Sequence, residues 1–465
     1  MAETPAKASG DYQLIGPSED GGISDLLVGL DSVASRQRLQ ALIAEWLGME
    51  NLVVLAGAGC SCSSGGKPMV DLEPAVLETV KCIEGLPSNI APIIDQRLGP
   101  ATKGEQRCGF EEWLSFIANA KHITSSPQSP LSSVQWTSKA NPSLADLDWL
   151  LNYLGRAIFA ECSLSLSEKP SSSALEIASH LPFLAKLVAR DSNLGRTHLF
   201  TLNYDTLIEQ GLELLGIQYF DGFTGRANAR FDPSVYGLDV YYPGDIAEGR
   251  VRRFDKFLHY YKLHGSIHWH IAGDELRARH PDLSAFAGYI DKEPKDKAKD
   301  LVALGETFPA VGILPTANKF SQTLSMPFSH LFRSFQIRLT APQTFLLVLG
   351  YGFSDDHINR IIETALMNPS LVMLVVEPNP ESATIDRVRQ YKDLGKRAFI
   401  LTASESAFKA QKFKKATFDD FSRTVMPDVQ WLDDFLRLRR FEKQIRASSD
   451  TAAATTLQLG DGSGG

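Results

Sequence analysis

Apolar and polar positions along the chain follow two rhythms. Between Ser35 and Met49, Leu39, Leu42, Ile43 and Trp46 recur at three- and four-residue steps, which predicts a helix. Immediately after it, Leu52 to Leu55 is an unbroken apolar run, the pattern of a short strand buried on both faces. Similar runs return in HLFTLNYD from His198, YYKLHGSIHW from Tyr260, TFLLVLGYG, SLVMLVVEPN and RAFILTA. Amphipathic segments separate them: Thr206 to Leu215, MPFSHLFRSFQIRL, DDHINRIIETAL and ESATIDRVRQYKDLG. Strands alternating with helices predict an α/β fold, a Rossmann-like doubly wound parallel sheet with right-handed crossovers.

The stretch from Asp71 to Arg190 breaks that alternation. It reads as helix after helix, with a Ser/Pro-rich loop at about 124–143, and so as an inserted helical module over about 71–190 covering the turn after Leu55. Residues 217–260 are irregular and aromatic, and 272–308 are charged, a loop or small subdomain. The main domain is expected to span 31–426. Residues 1–30, rich in Gly, Ser, Pro and Asp, read as a mobile tail, and 448–465 as a second, low-complexity one. Between them, 427–447 forms an amphipathic helix, with Leu432, Phe435, Leu436, Phe441 and Ile445 apolar and Arg437, Arg439, Arg440, Lys443 and Arg446 basic. Its apolar face suits docking on its own sheet or an assembly.

Composition narrows the partners. A hydrophobic share of 43% is that of a globular protein, and a formal charge of −8 argues against direct, sequence-specific nucleic-acid binding. No apolar run reaches the roughly 18 residues of a membrane helix, and MAETPAKASGDYQ lacks the apolar core of a secretory leader. Five scattered cysteines make no disulfide framework, so a cytoplasmic location is expected.

Four predicted strands end in polar or glycine residues, where α/β sheets bind ligands. They are Gly57-Ala58-Gly59-Cys60-Ser61, Asn203-Tyr204-Asp205, His264-Gly265-Ser266 after Lys262-Leu263, and Gly350-Tyr351-Gly352-Phe353-Ser354-Asp355-Asp356. Two glycines one residue apart permit a tight turn, after which amides at a helix N-terminus can meet a diphosphate; the third glycine of the full dinucleotide fingerprint is replaced by Cys62. Each stretch also has a plain structural use. Asn203 and Asp205 suit capping of the helix from Thr206, and Asp355 and Asp356 that of the helix from His357. His264, His268 and His270 fall at even steps, yet Gly265-Ser266 turns the chain between them and no supporting carboxylate is apparent, so no metal is expected.

Taken in this order, the four stretches resemble the sirtuin family, and more closely its bacterial sirtuin-like defence branch, over roughly residues 50–425. The resemblance implies that Gly57, Ala58, Gly59 and Ser61 hold the pyrophosphate of NAD+, and that Asn203 and Asp205 lie near the nicotinamide ribose. It makes His264 the catalytic histidine, and the expected catalytic set adds Asn203, to orient water or a ribose hydroxyl, and Asp205, the nearest carboxylate for the cationic face. Gly350, Phe353 and Ser354 would approach the ribose and phosphates, and Asn379 at the Glu377-Pro378-Asn379 strand end would lie near the adenosine. The sequence departs from the deacylases in one respect: their zinc ribbon uses two Cys-x-x-Cys pairs after the catalytic histidine, and here every cysteine lies at or before Cys162. The resemblance therefore implies an NAD+ hydrolase acting by NAD+ depletion in anti-phage defence. The alternatives are an NAD-dependent deacylase or ADP-ribosyltransferase and a non-catalytic NAD+ or ADP-ribose sensor. A homo-oligomer and a HerA-type ATPase partner are implied in the same way. Loss of His264 or Asn203 is expected to abolish cleavage with hardly any change in melting temperature.

Overall fold

The computed structural model describes residues 10–17, 22–100, 107–125, 134–136, 140–166, 169–171, 174–191, 193–242, 253–272, 275–279, 286, 288–303, 327–391 and 397–428. In chain order, β1 (Tyr12–Pro17) and β2 (Ile23–Asp25) precede α1 (Ser32–Leu47), and β3 (Asn51–Ala56) leads into two 3-10 turns, Ala58–Cys60 and Cys62–Ser64. Helices α2 (Met69–Lys81), α3 (Ala91–Leu98), α4 (Phe110–Ser125) and α5 (Leu144–Cys162) follow. After a hairpin of β4 (Lys169–Ser171) and β5 (Ala174–Glu176) come α6 (His180–Val188), β6 (Thr197–Thr201) and α7 (Leu207–Leu214). Six strands and one helix follow: β7 (Gln218–Phe220), β8 (Phe223–Thr224), β9 (Ala229–Phe231), β10 (Phe257–Lys262), β11 (Trp269–Ala272), β12 (Glu275–Ala278) and α8 (Pro294–Ala303). The last part alternates: α9 (Phe328–Thr340), β13 (Thr344–Leu349), α10 (Asp356–Ala365), β14 (Val372–Val376), α11 (Ala383–Tyr391), β15 (Ala398–Ala403), α12 (Glu405–Ala410) and α13 (Phe418–Asp420).

The main sheet runs β2-β1-β15-β14-β13-β3-β6-β10-β7, parallel from β15 to β7 and antiparallel only at β1 and β2. This is the expected doubly wound sheet. Its central strands are buried on both faces, which is why they read as unbroken apolar runs rather than alternations. One face packs against α1, α6, α7 and the segment from Phe418 to Met426, through Ile43, Leu184, Leu212 and Phe421 among others. The other packs against α9, α10 and α11, through Phe335, Ile362 and Val388. Chain order reverses at the middle: β3 is followed outward by β6 and β10 on one side, while β13, β14 and β15 step away on the other. The topological switch point thus lies between β3 and β13.

Two expectations need correction. Residues 1–30 are not a tail throughout, because Tyr12 to Ile15 pair with Ile400 to Ala403 and Leu26 returns to Leu14. Tyr12, Leu14 and Leu27 are buried, and the Tyr12 hydroxyl donates to Asp420, so a short amphipathic strand covers the open edge of β15. The helical module also ends sooner than residue 190. Helices α2 to α5 share a separate core with α8, whereas α6 belongs to the sheet layer. There Arg190 donates to the carbonyls of Leu47, Met49 and Gly195, tying the end of α1 to the approach to β6. The expected helix at 427–447 and tail at 448–465 lie outside the described residues, apart from 427 and 428.

Candidate active site at the switch point

Register sets the site. Lys262 pairs with Thr201, Thr201 with Ala56, Ala56 with Leu349, and Leu349 with Val376. All five lie on one row across the sheet, and each is the last residue of its strand. The candidate residues therefore begin just past a common level: His264, Asn203, Gly57, Gly350 and Glu377. Parallel pairing brings together stretches far apart in sequence, at the place where α/β sheets bind ligands.

At the centre, the turn after β3 and the turn after β13 are in backbone contact. Gly57 N donates to Leu349 O at 2.8 Å and Gly59 N to Gly350 O at 3.0 Å. A Cβ on Gly57 would lie 2.5 Å from Gly350 O, one on Gly59 2.7 Å from Gly350 Cα, and one on Gly350 2.6 Å from Cys60 N. Gly350 also sits at φ +61°, in the left-handed region. Loop-on-loop packing thus accounts for all three glycines. The expectation of a helix N-terminus directly after the glycines is overturned: two 3-10 turns follow, and α2 begins only at Met69. The amides of Gly57, Gly59, Cys60 and Ser61 are all engaged by carbonyls within these turns.

A buried chain of polar side chains joins the glycine turn to the end of β6. Asn203 Nδ2 donates to Gly57 O at 3.0 Å and to Ser61 Oγ at 2.9 Å, and Ser61 Oγ donates to Asp205 Oδ2 at 2.7 Å. Asp205 Oδ1 accepts from Leu207 N, the first amide of α7, at 3.1 Å, although the N-cap position itself is Thr206. Burial raises the Asp205 carboxyl above its ordinary range, against the pull of nearby Lys262 and the Ser61 hydrogen bond. Lys262, at the end of β10, donates to Asp205 O and, at 2.8 Å, to Glu209 on α7. One buried cation thereby couples two of the predicted motifs.

His264 follows at the turn made by Gly265 (φ +92°), and its Nε2 lies 3.0 Å from Asp355 Oδ2. Sequence reasoning gave Asp355 only a helix cap. That role is real, since Asp355 Oδ1 accepts from His357 N at 2.9 Å, but the second oxygen reaches the histidine. The signal was present in the paired Asp355-Asp356, but not the distance. The structure corrects Phe353: its ring is fully buried in the core with Tyr351, and its carbonyl accepts from Asn359 and Arg387, so its side chain does not face the cleft. Ser354 is exposed beside it. Asn379 accepts from Glu381 N at 3.0 Å in the turn after β14, close behind Glu377, whose carboxyl burial raises.

The helical module clamps this region from one side. Tyr204, between Asn203 and Asp205, and Ile267, just past His264, are both lodged in its core. Lys67, which follows the glycine turn, pairs at 2.5 Å with the buried Glu161 of α5, which also holds Lys297 of α8 at 2.7 Å. Among the described residues no three His, Cys, Asp or Glu side chains gather as a metal site, and no helix is long and apolar enough to cross a membrane. Asn203, Ser61 and Asp205 form one hydrogen-bonded cluster, and His264, past the end of the neighbouring strand, pairs with Asp355.

A family model described as a SIR2-like domain matches residues 197–399. The matched span contains Asn203, Asp205, His264 and Gly350 to Asp355, and leaves out the glycine turn after β3. No curated protein matches the chain.

Proposed function

We infer that the chain is sirtuin-like and acts on NAD+, a reading that the match to a SIR2-like domain supports. We propose that the chain is an NAD+ glycohydrolase, cleaving the nicotinamide–ribose bond to release nicotinamide and ADP-ribose. The observation that carries this reading is the single register row that ends β3, β6 and β10 at one level, so that Asn203, Asp205 and His264 follow at the strand ends, with Ser61 hydrogen-bonded to Asn203 and Asp205. The scissile bond joins a sugar to a cationic leaving group, so no strong acid is required to expel it. The transition state is oxocarbenium-like, as in glycoside hydrolysis, and needs a held ribose and a placed nucleophile.

These residues can meet those needs. Both Nδ2 hydrogens of Asn203 are committed to Gly57 O and Ser61 Oγ, which leaves its amide oxygen to receive a hydrogen from water or a ribose hydroxyl. Asp205 fixes Ser61 and so sets the Asn203 rotamer; it works through its neighbours rather than on the sugar. His264 is the base for water. With the amides of Gly57, Gly59, Cys60 and Ser61 engaged by carbonyls, a diphosphate needs donors other than these four. The absence of cysteines after Cys162 supports attack by water over an acyl-lysine cleft of the zinc-ribbon kind.

NAD+ depletion in anti-phage defence, by a homo-oligomer or together with a HerA-type ATPase, extends this reading, since constant turnover of a central cofactor would harm the host. The deciding experiment incubates the purified full chain, alone and at increasing concentration, with NAD+ and follows nicotinamide and ADP-ribose by chromatography. Release by the native chain, lost in His264→Ala, is expected. Binding of NAD+ with no release at any concentration would favour a sensor, and release dependent on an acetylated peptide would favour a deacylase.

A further inference from the structure

We propose that Asp355 is the positioning carboxylate of His264, fixing which ring nitrogen acts as base; this rests on the hydrolase reading above. His264 follows β10 and Asp355 follows β13. These strands stand three positions apart, about 14 Å at the usual strand spacing, with β3 and β6 between them. The contact of 3.0 Å between His264 Nε2 and Asp355 Oδ2 therefore bridges the strand ends that carry Gly57 and Asn203. The loop from Gly350 to Asp355 carries the carboxylate across that distance, and capping α10 uses only Oδ1, so the contact of Oδ2 with the histidine is not required by the cap.

Asp355 is held from several directions. Its Oδ1 accepts from His357 N, its own N–H donates to the Tyr351 hydroxyl at 3.2 Å, and that hydroxyl lies 3.1 Å from Asp355 O and 2.9 Å from Asn359 Oδ1. Asn359 in turn donates to Phe353 O at 2.9 Å, and the fully buried Phe353 ring, at φ +53°, anchors the loop in the core. The carboxylate is thus fixed before any ligand arrives, as positioning requires.

An ionised carboxylate only accepts hydrogen bonds, so the imidazole must carry its hydrogen on Nε2. Nδ1 is then the basic nitrogen. In the hydrolytic step water oxygen forms a bond to the ribose carbon while one water proton passes to Nδ1. The electron pair of the carbon–nitrogen bond leaves with nicotinamide, which becomes neutral. The imidazolium formed is stabilised by Asp355 and later releases its proton to solvent. The arrangement follows the logic of a carboxylate-oriented histidine base.

The test compares the full-length native chain with Asp355→Asn and Asp355→Ser. Asn and Ser both remain competent helix caps, so the fold should persist. We expect kcat for nicotinamide release to fall at least ~100-fold with KM within about threefold, as removal of an orienting carboxylate does elsewhere. Histidine nitrogen NMR, with His264 assigned from His264→Ala, should show hydrogen on Nε2 in the native chain and altered populations in Asp355→Asn. Unchanged kcat would overturn the proposal, as would hydrogen on Nδ1. Raised kcat would also overturn it, since the bridge would then be a strap holding the site shut. If the native chain releases no nicotinamide, the hydrolase reading fails while the NMR arm still decides whether Asp355 sets the tautomer.

Discussion

Removing the Asn203 side chain should cost stability as well as turnover, contrary to what its motif alone suggests. Asn203 is only 8% exposed, and its amide holds the carbonyl of Gly57 and the hydroxyl of Ser61. In Asn203→Ala two hydrogen bonds vanish, each with a net value of about 0.5–1.5 kcal/mol, and Gly57 O is left without that donor in a buried turn. Ser61 still donates to Asp205, so part of the network survives. The sum is roughly 1–3 kcal/mol. At ~2–4 °C per kcal/mol for a domain of 150–250 residues, and less for a longer one, the melting temperature should fall by a few degrees. Nicotinamide release should fall far more than such a loss explains, because the folded population at 25 °C remains near complete. The paired assay is a thermal melt and a nicotinamide time course on the same preparation. His264→Ala serves as the control that loses turnover. An Asn203→Ala melt indistinguishable from native would refute the reasoning, since the buried bonds would then carry no weight. Loss of activity in strict proportion to loss of folded protein would remove Asn203 from the chemistry.

The parts of this molecule visible in its sequence are those in which local pattern and long-range packing coincide. Phe345 to Leu349 and Val372 to Val376 are apolar at every position because helices cover both faces, so their burial could be read directly. The motifs after them were legible because functional loops in this architecture sit at strand ends. What escaped depends on partners far along the chain. In β1, Tyr12, Leu14 and Gly16 alternate with Gln13, Ile15 and Pro17, a half-buried pattern too short to stand out beside Gly- and Pro-rich neighbours. Its partner β15 lies at the other end of the sequence. Helix α8 hides for a different reason: PKDKAKDLVA looks solvated, yet Lys297, Ala298 and Leu301 are buried, with the lysine paired to Glu161. Phe353 misled because an aromatic residue among glycines at a strand end looks available to a ligand, whereas its backbone takes a positive φ that turns the ring into the core. Asp355 was visible only as a cap, since no local pattern reports that a loop reaches His264.

Three further outcomes follow from buried groups. Burial depresses His180 and His259 to about 4, and His198, stacked 4.9 Å from His259, in the same direction. The unfolded chain binds more protons between about 6.5 and 4, so stability should fall as pH drops through that window. Each histidine can add up to ~1.4 kcal/mol per pH unit, and a urea midpoint flat from pH 7 to 4.5 would contradict this. Gly350→Ala forces a Cβ to 2.6 Å from Cys60 N at φ +61°, so it should cost on the order of 1–3 kcal/mol from backbone strain alone and loosen the glycine turn to proteolysis; a native-like melt would refute the contact. Glu161→Gln tests the link between the glycine-turn segment and the helical module. The Glu161 side chain is fully buried and serves Lys67 and Lys297 at once. Lys67 is partly exposed and can turn to water when the carboxylate is neutralised, but Lys297 is buried and has its charge over the Tyr289 ring at 5.3 Å. The uncompensated cation at Lys297 should therefore dominate the loss, at about 3–5 kcal/mol. Lys297→Met in the Glu161→Gln background removes that cation and should restore most of the stability, whereas Lys67→Met should restore little. A double-mutant cycle from urea melts measures both. Equal rescue by the two lysine changes would show that Lys67 is as desolvated as Lys297, and a Glu161→Gln loss below about 0.5 kcal/mol would mean that the buried bridge contributes nothing to holding the module in place.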